Sequence, residues 1–152
     1  MLRVTRRYAF AASHRLHAAE LSEEENRRLY GKCNNPYGHG HNYLVEVSVR
    51  GPLEGRTGRV VDTAVLDELV RREVVLPFDH RNLNQEVAVF AGVAPTLVPT
   101  SENLGFEICR RLKRNWKQVF PGEWPKLEKV RIGETARRPR VPSTMAFGSV
   151  SG

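Results

Sequence analysis

The chain has 152 residues, 40% of them hydrophobic, which suits one domain with an ordinary buried core. It carries 24 Lys and Arg against 17 Asp and Glu, a formal charge of +7, but the positive residues lie in scattered pairs such as Arg6-Arg7 and Arg71-Arg72 that read as solvated faces, with none of the aromatic-basic interleaving of an RNA-binding sheet. No run approaches the ~20 apolar residues of a membrane helix, Met1 to Arg7 leads into alternation instead of an apolar signal core, and Cys33 and Cys109 make no disulfide framework. The expectation is a reduced, cytoplasmic protein with no nucleic-acid or membrane partner.

Residues 2 to 14 alternate as a strand, with Leu2, Val4, Arg6, Tyr8, Phe10, Ala12 and His14 on one parity. If the strand persists to its end, His14 emerges on the face of Tyr8 and Phe10. His17 fits no pattern and is read as an ordinary polar residue. The run Gly31-Lys32-Cys33-Asn34-Asn35-Pro36-Tyr37-Gly38-His39-Gly40-His41-Asn42-Tyr43 then sets a cysteine and a histidine pair around a turn-rich loop, directly before a second strand over about 39 to 50. His39, His41, Tyr43, Val45, Val47 and Val49 share a parity, so both imidazoles point where the apolar side chains point. Three histidines from two adjacent strands could converge on one ion. Zinc held by three histidines with an open fourth position is the catalytic pattern, whereas structural zinc is closed by four protein ligands. Each histidine could instead be a hydrogen-bonded core or surface residue; the phase of His14 and the neighbouring Cys33 favour the metal.

Gly51 to Gly58 is dense in turn residues, and Val60-Val61 resumes an extended run that predicts a hairpin. Asp62 can cap a helix through Val74, with Leu66, Leu69, Val70 and Val74 at helical spacing. Residues 77 to 84 read as a loop and 88 to 99 as an extended excursion. Thr100 or Ser101 can cap a second helix carrying Leu104, Ile108 and Leu112 on one face, with Cys109 as a packing residue. The last clear strand is Leu127 to Glu134, where Val130, Ile132 and Glu134 share the inward parity. Glu134 is either an inward carboxylate or the wet end of the strand. A weak extended piece follows at Ser143 to Phe147, and no role is read for residues 136 to 152 as a whole. The order predicts a single α+β domain over residues 1 to 152, with two helices on one face of a four-stranded antiparallel sheet.

Five motifs in order carry a resemblance: Ala12-Ser13-His14-Arg15-Leu16, the run from Gly31 to Tyr43, Asp79-His80-Arg81-Asn82-Leu83, Thr100-Ser101-Glu102-Asn103, and Glu134-Thr135. Over roughly residues 2 to 135 the sequence resembles the 6-pyruvoyl-tetrahydropterin synthase family, which also contains 6-carboxy-tetrahydropterin synthase of the queuosine pathway. The resemblance implies the tunnelling fold, in which trimers close a β-barrel and two trimers stack into a homohexamer. It implies a zinc ion (Zn2+) on His14, His39 and His41, and Cys33 as the catalytic nucleophile or base. It implies Asp79 and His80 as relay partners supplied by a neighbouring subunit. It also implies Glu134, with Thr100, Ser101 and Glu102, in substrate binding, and 7,8-dihydroneopterin triphosphate as the substrate. By sequence alone Asp79-His80 could equally be a polar turn, Glu102 a carboxylate favourable to a helix N-terminus, and Cys33 an inert loop thiol.

The roles make chemical sense. One carboxylate can accept both adjacent N–H groups of a pterin edge, and a thiolate whose pKa is lowered by Lys32 and a metal is a competent base. Elimination of triphosphate with internal redox needs no nicotinamide or flavin, in keeping with the lack of a Gly-x-Gly-x-x-Gly fingerprint. Five residues separate Cys33 from His39, a spacing of the pyruvoyl type; the carboxy type typically has three. Tyr37 and the stretch from Ala88 to Pro99 depart from the usual pattern and bear on substrate side-group preference. From another class, a zinc-stabilised nucleic-acid-binding module would use the positive charge, but three histidines without thiolates at finger spacing fit a structural site poorly.

Overall fold

The computed structural model describes residues 1–92, 97–135 and, for its backbone, the strand 144–147. Two long strands, β1 (Leu2–His14) and β2 (His39–Gly51), run antiparallel with every residue of β1 in register. The period-2 alternation fixes that register, because a slip of one residue would turn every apolar side chain outward. Tyr8 faces Val45, Phe10 faces Tyr43, and His14 faces His39. β4 (Lys126–Thr135) pairs with the other edge of β2, setting Ile132 beside Val45 and Glu134 beside Tyr43.

One face of this sheet is buried. Phe10, Tyr43, Val45, Val47, Val130 and Ile132 line it. Against it pack α2 (Thr63–Val70) through Leu66, Leu69 and Val70, and α5 (Ser101–Val119) through Leu104, Ile108, Leu112 and Trp116. The caps lie where expected: Asp62 accepts from the amides of Ala64 and Val65, and Thr100 from that of Asn103. Among the described residues, no helix is long and apolar enough to cross a membrane.

The sheet has five strands in the order β3-β1-β2-β4-β5, where β3 spans Arg81–Asn82, and β5 spans Thr144–Phe147 and pairs antiparallel with β4. The four expected antiparallel strands are present, and the two-residue β3 (Arg81–Asn82) adds a parallel edge beside Ala12 and Ser13. The segment expected to be a loop over 77 to 84 therefore holds structure. The first helix continues past Val74 through a π-helical turn (Arg71–Val75) into α3 (Leu76–Phe78). There the Leu76 amide bonds to the Arg71 carbonyl, just before Pro77, whose ring has no N–H to offer. The short α4 (Leu83–Glu86) follows, capped by Asn82.

Two other expectations change, and one element was not foreseen. Val60-Val61 forms no hairpin ladder with β2: a lone bridge joins Glu54 to Arg59, and the Glu54 carboxylate closes the turn by accepting from the amides of Arg56 and Thr57. The expected excursion over 88 to 99 folds at its start into a tight turn, with the Phe90 and Ala91 amides bonding to the Val87 carbonyl, while residues 93–96 lie outside the described part. An unforeseen helix, α1 (Glu23–Tyr30), begins at a capping box in which Ser22 and Glu25 bond each other's backbone amides. The basic run Arg137-Arg138-Pro139-Arg140, in the tail for which the sequence suggests no role, lies outside the described residues.

Candidate metal and substrate site

The register of β1 on β2 builds the site. His14 stands opposite His39, and His41 stands opposite Ala12 on the same face, so three imidazoles gather at one end of the ladder. Their ring centroids are 5.2 Å (His14–His39), 4.8 Å (His14–His41) and 4.5 Å (His39–His41) apart. The fourth member is Cys33, carried on a single 3₁₀ turn (Gly31–Asn34) between α1 and β2. The donor atoms of His14, Cys33, His39 and His41 all lie within 4.8 Å of one another. Gly38 makes this closeness possible. Its φ is +70°, and a Cβ there would stand 2.8 Å from the His14 carbonyl oxygen, so no larger residue fits without moving backbone.

The hydrogen bonding of these rings points to a missing partner. The His14 Nδ1–H donates to the Pro99 carbonyl at 2.9 Å, with the Tyr43 hydroxyl at 3.3 Å, which leaves the lone pair on Nε2. The Nε2 atoms of His14, His39 and His41 are all buried and all lack a hydrogen-bond partner; among the described residues, only Arg131 Nε shares that condition. Each such orphan costs about 1–3 kcal/mol, so three side by side fit a group that accepts three nitrogen lone pairs. A divalent cation of the zinc type does so. Burial pushes the His14 pKa down to about 4 and lowers that of His41 as well, so both rings are neutral and ready to ligate near neutral pH.

Glu134 closes the other side. It faces Tyr43 across the β2–β4 ladder, and its Oε2 lies 3.6 Å from His41 Nδ1. The Ser101 hydroxyl, at the first turn of α5, donates to Oε1 at 2.9 Å. Glu134 is thus an inward carboxylate and not the wet end of a strand, with side-chain exposure of 35%. Burial, then the Glu134 charge, push the Cys33 thiol pKa up. The expected lowering by Lys32 is absent because that residue is exposed, and only a bound cation would bring the thiolate within reach.

A family model of 6-pyruvoyl tetrahydropterin synthase matches residues 3–139. The chain belongs to the 6-pyruvoyl tetrahydropterin synthase family. It is 45% identical over 132 residues to the 6-pyruvoyl tetrahydrobiopterin synthase of Poecilia reticulata, covering 87% of this chain and 83% of that one. The structure of Caenorhabditis elegans 6-pyruvoyl tetrahydropterin synthase superposes with a TM-score of 0.80 at 36% identity, over 98% of this chain and 96% of that one. The subunit of the tunnelling fold expected from the sequence is therefore the observed fold. The 6-carboxy-5,6,7,8-tetrahydropterin synthase of Rickettsia conorii is more distant, at 30% identity over 132 residues, 80% of this chain and 82% of that one.

Within this synthase-family scaffold the other expected site residues fall into two groups. Thr100 spends its hydroxyl on capping α5, and Glu102 is exposed, so of the three residues at the helix start only Ser101 touches Glu134. Asp79 and His80 sit at the outer edge of the sheet. Asp79 Oδ1 accepts from the Ala11 amide at 3.0 Å, and Oδ2 lies 3.0 Å from His80 Nδ1. The His80 amide donates to the Ala11 carbonyl at 2.6 Å, and its side chain is 83% exposed. Its φ of +56° is rare for a residue with a Cβ and turns the ring outward. The pair is outside the group formed by Cys33 and the three histidines. Sequence reading missed the Pro99 carbonyl, since a backbone acceptor that orients a histidine from 85 residues away leaves no pattern.

Proposed function

We propose that this protein converts 7,8-dihydroneopterin triphosphate to 6-pyruvoyl-tetrahydropterin and inorganic triphosphate, as a carbon–oxygen lyase of the synthase type. The observation that carries the reading is the convergence of three unpartnered imidazole Nε2 atoms with a thiol and an inward carboxylate. His14, His39 and His41 would hold one zinc ion, which when bound would gather the hydroxyls of the substrate's side arm and acidify the adjacent C–H bonds.

The remaining work falls to the protein's own residues. Glu134 accepts the two adjacent N–H groups of the pterin edge, and the Ser101 hydroxyl holds one of its oxygens in place. Cys33 removes the protons from the carbinol C–H bonds. His80, oriented by Asp79 and brought by a neighbouring subunit, exchanges protons with it. The balance closes within one molecule: the two carbinol carbons give up four electrons as they become carbonyls, two of these reduce the ring to N5–H and C6–H, and two leave with the terminal carbon, whose C–O bond breaks to release triphosphate and whose new C–H bond makes it a methyl group. The exposure of His80 at a sheet edge supports an oligomeric site, and a homohexamer of two stacked trimers is the assembly we infer.

Incubation of the zinc-loaded protein with 7,8-dihydroneopterin triphosphate, followed by mass spectrometry, tests this. The expected product retains all three carbons of the substrate's side arm as a pyruvoyl group, with one triphosphate released per turnover. A side arm shortened to a carboxylate would reassign the protein to the 6-carboxy type.

A further inference from the structure

We propose that Asn34 is a positioning residue for the Cys33 thiol, locking the turn that carries it onto the segment that leaves His14. The ladder of β1 ends at His14, yet the next two residues are held on both sides. On one side, Asn84 treats Arg15 as a strand partner would: its Oδ1 accepts from the Arg15 amide at 2.7 Å and its Nδ2 donates to the Arg15 carbonyl at 2.9 Å. On the other, the Leu16 amide donates to the Cys33 carbonyl at 2.8 Å, and Asn34 Nδ2 donates to the Leu16 carbonyl at 2.8 Å. Arg15 Nε adds a bond to the Asn34 carbonyl at 3.1 Å, and the second Nδ2 hydrogen of Asn34 faces His17 Nδ1 at 3.1 Å.

The Asn34 side chain therefore replaces a missing rung of sheet. It is 4% exposed, so water cannot take over its bonds at no cost. Cys33 is joined to His39 by a turn that includes Asn35, Pro36 and Gly38, and to β1 by the Leu16 bridge that Asn34 completes. Without the amide, the thiol keeps its sequence neighbours but loses its fixed distance to the three histidines. A base displaced by about 1 Å can lose on the order of 100-fold in rate while binding is unchanged.

The role in turnover rests on the proposed function, so the test has a second readout. Asn34→Asp is isosteric but sets an oxygen against the Leu16 carbonyl and removes both donated bonds. Asn26→Ala is the control, because Asn26 is also buried and its side chain bonds to Ala18, Leu21 and Ser22 in the same excursion with no hydrogen bond to the Cys33 turn. For zinc-loaded proteins the readouts are kcat and KM with 7,8-dihydroneopterin triphosphate, and the rate of Cys33 alkylation by iodoacetamide at fixed pH, with peptide mapping to separate it from Cys109. Asn34→Asp is expected to keep its zinc and a KM within about twofold, lose about 10- to 100-fold in kcat, and alkylate Cys33 at least about fivefold faster. Asn26→Ala is expected to leave kcat and alkylation within about twofold of the parent, whatever it does to melting temperature. If the parent itself fails to turn over the substrate, the functional reading fails and the alkylation rate alone judges the clamp. A zinc-loaded Asn34→Asp protein with the parent's alkylation rate would overturn the proposal. Should that variant not fold, Asn34→Ser, which keeps a shorter donor, is judged by the same two outcomes.

Discussion

The buried face of the β1–β2 ladder carries polar side chains at both ends, and the fold treats them in opposite ways. At one end Arg6 gives two bonds to Asp67 of α2, Nε to Oδ1 at 3.0 Å and Nη2 to Oδ2 at 2.6 Å, and the Tyr8 hydroxyl donates to the same Oδ1 at 2.7 Å. Arg6, Tyr8 and Asp67 there all find partners in one another. At the other end His14, His39 and His41 present three unpartnered nitrogens beside a thiol. Both arrangements follow from one alternation, since Arg6, Tyr8 and His14 share a parity. What separates a structural cluster from a reactive one is satisfaction: the Arg6 end is complete without a ligand, whereas the histidine end becomes complete only when something else binds.

Breaking the reactive end should have the largest effect. His39→Ala removes one of three neutral nitrogen donors, so zinc should be lost and turnover should fall by about 1,000-fold or more, while the fold survives because the core lies on the strands beyond. Metal analysis with circular dichroism checks this. Full zinc in that variant would refute the ligand set.

A second experiment asks whether the reactive end is complete even with its metal. Cys33 lies among the histidines, whereas His80 points outward from the sheet edge. Cys33→Ala and His80→Ala should each be nearly inactive while still binding zinc and pterin. Mixed under conditions of subunit exchange, they should regain part of the activity, because some interfaces then carry both intact groups. Re-formed mixed oligomers as inactive as either parent would mean that the site is built within one subunit.

Glu134→Gln should come next, weakening pterin binding by about 10- to 100-fold, the worth of a charge-assisted bond. The amide cannot accept from both N–H groups, although Ser101 can still donate to it. Titration with a pterin that lacks the triphosphate arm reads this directly; unchanged affinity would remove Glu134 from recognition.

Much of this contrast is legible in the sequence, because period-2 alternation carries both depth and face. It sets His14, His39, His41 and Glu134 inward, and it sets the two long strands. What it misses arises where local chemistry or tertiary contact overrides period. α1 is charged on most sides and announces itself only through the Ser22–Glu25 capping box. β3 is two residues long and exists because β1 offers a free edge. The Pro99 carbonyl and the Asn34 and Asn84 amides act through one or two hydrogen bonds to distant backbone or ring atoms, which no spacing rule encodes.

The smallest expected effect lies at the satisfied end, and it tests whether satisfaction there is electrostatic. Arg6 and Asp67 are about 40% exposed (42% and 38%), so solvent screens the pair, and Asp67→Asn should cost only about 0.5–1 kcal/mol at pH 7 with zinc content and turnover unchanged. Hydrogen bonding from Arg6 holds the Asp67 carboxyl below its ordinary range. A carboxylate whose folded pKa is depressed contributes stability that is fully present above its unfolded value near 3.9 and is lost as pH falls through the folded value. The gap between parent and variant in urea unfolding should therefore hold constant from about pH 8 to pH 5 and close as pH falls below the unfolded value and through the lower folded one. A gap that persists at low pH would show that Asp67 acts through packing and its hydrogen-bond geometry, and that the charge contributes nothing to the contrast with the histidine end.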